Sequence, residues 1–122
     1  GEEIAYLVTV YTGFWIGSGT DANLGIRLYG SKGISRIHNL QSRKRKVLKG
    51  NSDDWFLMFT PTSLGDIEKI HVFHDYTGYS PDWYCADIMV YDLENQKDYK
   101  FIVNKWISLS EEDEYIECYV EP

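Results

Sequence analysis

The sequence predicts an all-β sandwich or barrel, on three observations. About eight short runs are rich in β-branched and aromatic residues, turn-forming clusters interrupt them every ~8–12 residues, and no apolar period of a helix persists for ten residues anywhere. At 122 residues the chain is long enough to close one core, and it is read as one domain over residues 1–122. Its ten tyrosines and four tryptophans suit pleated surfaces, where aromatic rings pack well.

The first strand is Ile4 to Tyr11. Residues 12–23, TGFWIGSGTDAN, combine three glycines with polar turn formers and read as a long irregular loop. Leu24, Ile26 and Leu28 alternate with Gly25, Arg27 and Tyr29, which marks a half-buried strand. GSKG at 30–33 is a hairpin turn leading into a third strand, Ile34 to Leu40. Gln41 to Asp54 is polar and basic, a loop. Trp55 to Thr60 is a strand stopped by Pro61. Ile67, Ile70 and Val72 define the next, ending at His74–Asp75, and residues 75–82 form another turn-rich loop. Trp83 to Leu93 follows, then the short connection LENQKD, the strand Tyr99 to Val103, and a last strand Tyr115 to Val120.

Composition excludes several classes of chemistry. No run approaches the ~20 apolar residues of a membrane-spanning helix, and no secretory leader is visible. Two cysteines, Cys85 and Cys118, are too few for a disulfide framework and lack zinc-site spacing; in strand-like runs they read as buried free thiols. There is no nucleophile elbow, phosphate loop or metalloprotease helix. His71 and His74 lie three apart on one strand, so they point to opposite faces and make no metal pair. An enzyme is therefore not expected.

Three features point to binding. Phe14, Trp15 and Ile16 put large apolar groups in a glycine-rich loop, where they either contact a membrane interface or fold back to plug the end of the sandwich. Three loops carry oxygen donors of the kind calcium takes: Gly17, Thr20, Asp21 and Asn23; Asn51, Asp53 and Asp54; Asp75 and Asp82. The same residue types also populate turns for purely local reasons. The third feature is charge. The net −7 conceals a block at 22–52 with eight basic residues and no acids, against four basic and sixteen acidic residues in 53–122. Arg43, Lys44, Arg45 and Lys46, with Lys49, form a compact cationic stretch worth ~1 kcal/mol per residue beside an anionic leaflet. The acidic remainder opposes a long polyanion, so nucleic acid is not an expected partner. Glu111 to Glu114 is a candidate internal competitor for the basic stretch.

YLVTVYTG, GSGTDAN and LGIRLYG, followed by GNSDDW, LGDIEKIHVFHD, TGYSPDWY and FIVNKW, resemble a PLAT (lipoxygenase-homology) domain from about Tyr6 to Trp106. LYG and VNKWIS look most like the polycystin-1 and polycystin-1-like membrane proteins. The resemblance implies an eight-stranded antiparallel β-sandwich of two four-stranded sheets, placed in those proteins on the cytosolic side of the membrane. It implies binding to acidic phospholipids or phosphoinositides and to protein partners. It implies calcium at the Gly17–Asn23 loop, Asp53 and Asp75, and an apolar loop at Phe14 and Trp15. Tyr76 stands where many members carry Asn, which removes one oxygen donor. Trp83 and Trp106 match family aromatics and read as core. The isolated domain is expected to be monomeric. A lipid-binding adaptor is the leading expectation; a protein-interaction module with no lipid role is the alternative.

Overall fold

The computed structural model describes residues 3–12, 24–40, 53–74, 83–107 and 115–120. Eight strands follow in order: β1 (Ile4–Thr12), β2 (Leu24–Gly30), β3 (His38–Asn39), β4 (Asp53–Thr60), β5 (Ile67–His74), β6 (Trp83–Asp92), β7 (Lys97–Ile107) and β8 (Tyr115–Tyr119). They form two four-stranded sheets, ordered β4-β1-β6-β7 and β3-β2-β5-β8. Every pairing between named strands is antiparallel. The sandwich expectation therefore holds, and the barrel does not.

Alternation explains which residues turn inward. Tyr6, Val8 and Val10 of β1 meet Ile88 and Val90 of β6, Met58 of β4 and Phe101 of β7; from the other sheet come Leu24, Ile26 and Leu28 of β2 with Ile70 and Val72 of β5. All are essentially excluded from solvent. Cys85 and Cys118 join this core as free thiols, as expected. Burial above all, then the proximity of Cys118 and Asp87, pushes the Cys85 thiol far above its usual range, which makes it a poor nucleophile.

Three predicted elements change. The third strand shrinks from Ile34–Leu40 to His38–Asn39 plus a bridge between Tyr29 and Ile34. Ser35 is the reason. Its Oγ accepts from the Leu28 N–H at 2.9 Å and donates to the Arg36 carbonyl at 2.7 Å, so a side chain takes a place in the ladder. The seventh strand grows from Tyr99–Val103 to Lys97–Ile107. The predicted stop coincides with an irregularity: pairing shifts between Cys85 and Asp87, and Asn104 adopts a φ of 51°. The fourth strand gains Asp53 and Asp54, which the sequence had placed in a loop.

The turns at one end tie the sheets together. The Leu64 N–H donates to the buried Tyr6 hydroxyl at 3.0 Å, Lys32 N–H to the Leu64 carbonyl at 2.8 Å, and Ser31 N–H to the Asp66 carbonyl at 2.8 Å. Asp66 also accepts from Lys97 Nζ and the Tyr99 hydroxyl, each at 3.2 Å. Gly30 is required here, because a Cβ would run into the Leu64 carbonyl. On β6–β7, the buried Asp92 carboxylate accepts from the Glu94 and Asn95 N–H groups at 3.0 and 3.1 Å and so closes the hairpin.

Candidate functional site at the loop end

These turns fix one end of the sandwich, and antiparallel pairing then fixes the other. β1 and β7 end there at Thr12 and Ile107, while β4 and β6 begin there at Asp53 and Trp83. In the second sheet β2 and β8 begin there at Leu24 and Tyr115, while β3 and β5 end there at Asn39 and His74. The strand ends flanking 13–23, 41–52, 75–82 and 108–114 therefore all open on the end opposite the tight turns. Two of those segments carry the apolar group and the basic group that the sequence singled out.

Of the candidate calcium donors, Asp53 and its neighbour Asp54 are among the described residues. Asp53 is the one the family resemblance also marks. It is the first residue of β4, exposed, and opposite Tyr11 of β1. Gly17, Thr20, Asp21, Asn23 and Asp75 lie outside the described residues, as do Phe14, Trp15, Arg43, Lys44, Arg45, Lys46 and Lys49. Asp54, beside Asp53, faces inward at 1% exposure next to Val10. The pair thus splits by alternation into one carboxylate at the rim and one beneath it. Among the described residues no three His, Cys, Asp or Glu side chains gather in a group able to hold a metal. At the described rim Asp53 offers calcium a hard carboxylate oxygen, in the same cross-strand row as Asp87 of β6.

His38 sits at this end on β3, opposite Ile26. Burial first, and Arg36 second, hold its imidazole below the usual range. His71 belongs elsewhere. It lies on the outer face of β5, 3.1 Å from a Glu117 oxygen, with its ring 4.4 Å from that of Tyr29. Trp83 begins β6, where a strand was expected, and Trp106 lies on β7 beyond the strand expected there; the core placement expected of their side chains lies outside what is described.

One feature escaped the sequence reading. Trp55, Leu57 and Phe59 stand on the outer face of β4, exposed by 60%, 54% and 41%. The run Trp55–Phe59 is apolar at every position, and that continuity on a strand was the available signal for two apolar faces.

A two-sheet antiparallel sandwich with four of its connections opening at one end defines a C2-like class of fold. A model of the PLAT/LH2 domain matches residues 6–118, and the chain belongs to that family. It is 41% identical over 108 residues to the mouse (Mus musculus) polycystin family receptor for egg jelly, covering 88% of this chain and 5% of the relative. It is 40% identical over 107 residues to human (Homo sapiens) polycystin-1, covering 88% of this chain and 2% of the relative. The fold also matches a crystal structure of coral 8R-lipoxygenase with a TM-score of 0.83 at 25% identity, covering 95% of this chain and 17% of that one. The chain thus spans a small fraction of the length of each relative.

Proposed function

We propose that this PLAT domain, taken as a single module over residues 1–122, is a membrane- and protein-binding adaptor of a larger membrane protein, working at the cytosolic face and assisted by calcium. The observation that carries the reading is the common end of the strands flanking 13–23, 41–52 and 75–82, with Asp53 at its rim. An adaptor at a membrane needs its apolar, anionic and cationic groups on one side. Phe14 and Trp15 would enter the interface. Arg43, Lys44, Arg45, Lys46 and Lys49 would hold acidic phospholipid or phosphoinositide headgroups, each cation adding ~1 kcal/mol in a salt-sensitive way. The oxygens of Gly17, Thr20, Asp21, Asn23, Asp53 and Asp75 would hold calcium, whose charge offsets repulsion among the carboxylates. The coral 8R-lipoxygenase, described as calcium-activated through a C2-like domain, supports that part. No catalytic role is assigned to any residue.

Co-sedimentation with vesicles containing phosphatidylserine or a phosphoinositide tests this, with and without calcium. Trp15→Ala and a charge reversal of Arg43, Lys44, Arg45 and Lys46 should each weaken binding. Binding unchanged in both variants sinks the proposal. Binding retained in calcium chelator leaves the lipid role and removes the metal. The alternative, a protein-interaction module without a lipid role, draws on a separate feature, the apolar outer face of β4.

A further inference from the structure

We infer that the outer edge of β4 along residues 55–60, which has no strand partner among the described residues, together with the apolar face beside it docks an extended, basic-flanked segment of a protein partner as an added strand. This supplies the protein-binding half of the adaptor reading and does not depend on the lipid end.

The register lays out the outer face of the β4-β1-β6-β7 sheet row by row. Nearest the loop end, Asp53, Tyr11, Asp87 and Ile102 align across the four strands. The next row is Trp55, Thr9, Met89 and Lys100, and the next Leu57, Leu7, Tyr91 and Asp98. Phe59 stands beside Ala5 at the turn end. Apolar groups therefore run along β4 from Trp55 to Phe59 and cross β1 at Leu7 to reach Tyr91 of β6, a patch of the kind that marks contact sites.

β4 is also an edge. Among the described residues it pairs with β1 alone, so from Trp55 onward alternate residues direct their N–H and C=O groups away from the sheet. Sheets protect such edges with short strands, inward charges, proline or bulges. β4 carries one of these, the inward Asp54 at its loop end, while Trp55 to Thr60 has no charge, proline or register shift and Pro61 lies past its end. The opposite sheet shows the contrast: its β3 edge is two residues long, and Ser35 takes a ladder position just before it.

Charge selects the occupant. Asp53, Asp87 and Asp98 surround the patch, against the single cation Lys100 in these rows. An anionic leaflet would meet those carboxylates, and a second copy would bring the same carboxylates and a net charge of −7. A strand with basic ends complements them, while its outward apolar side chains lie against Trp55, Leu57 and Phe59.

The probe is a labelled peptide, KVTVRVTVK, titrated into the 122-residue chain by fluorescence anisotropy, with amide exchange followed along β4. The expected result is saturable binding with new protection at alternate β4 amides. An acid-flanked EVTVEVTVE and a proline-interrupted KVTPRPTVK should each bind about tenfold or more weaker. So should a variant carrying Trp55→Ser, Leu57→Thr and Phe59→Thr, whose melting stays near that of the parent. Equal binding of the proline peptide, or equal binding to the triple variant, overturns the inference. It is also overturned if the triple substitution dissolves a dimer in sedimentation or abolishes vesicle binding. Trp15→Ala and the basic-segment reversal leave peptide binding intact, so either reading can fail while the other stands.

Discussion

On the outer face of the β3-β2-β5-β8 sheet, charged and aromatic groups answer one another. Glu117 accepts from Lys69 at 2.6 Å and lies 3.1 Å from His71; the Lys69 ammonium stands 5.0 Å over the Tyr29 ring and the Arg27 guanidinium 5.8 Å over that of Phe73. On the outer face of the β4-β1-β6-β7 sheet, Trp55, Leu57 and Phe59 stand exposed beside an edge that has no strand partner among the described residues. Both faces are pleated surfaces of the same sandwich, over one shared core. The difference teaches that the first face is tied across its strands by ion pairs and ring contacts, with Tyr119 left exposed at its edge, while the second leaves a row of apolar side chains exposed with no such ties among the described residues.

The contrast breaks most directly on β4 itself. Met58 points inward at 1% exposure, so Met58→Ala should cost about 2–5 kcal/mol in urea denaturation. A smaller loss there would mean that the strand is not anchored by its inner face. Next comes the protected edge of the other sheet. Ser35→Ala strips the buried Leu28 N–H of its acceptor and should cost about 1–3 kcal/mol; a neutral result would show that water replaces the hydroxyl.

A pH-confined effect follows from Glu117, whose carboxyl is held down to about 2 by hydrogen bonds from Lys69 first and His71 second. A depressed carboxylate stabilises the fold above its unfolded value, near 4.5, and loses that contribution as pH falls toward 2. Glu117→Gln should flatten that acid limb of a melting-temperature profile, and an unchanged limb would mean that the carboxylate cluster does not hold in solution. Last is Leu57→Thr. At 54% exposure it should shift stability by less than about 0.5 kcal/mol, and a loss comparable to that of Met58→Ala would show that the outer face serves folding instead of contact.

Much of the fold was legible because strands announce themselves locally. Ile4–Thr12, Leu24–Gly30, Ile67–His74 and Trp83–Asp92 lie within a residue of their predicted bounds. Errors fell where side chains or bulges replace regular pairing, as at Ser35 and Asn104, because alternation carries no sign of either. Of the candidate calcium donors, Asp53 and Asp54 fall among the described residues, both on a strand end instead of a loop and only Asp53 exposed. Trp55–Phe59 was read as a strand without a direction, since an unbroken apolar run fits either face.

The sequence by itself determined a β-sandwich of PLAT type, its eight strands, its buried thiols and the blocks of opposite charge that suggest an adaptor. Tertiary structure decided the rest. Register with β1 turned Met58 inward and Leu57 outward, and antiparallel order gathered the flanks of the apolar, carboxylate-bearing and basic segments at one end. The reason is physical. Strand propensity and turn chemistry act among neighbours in the chain, whereas facing, edges and shared ends are set by pairings between residues far apart in it.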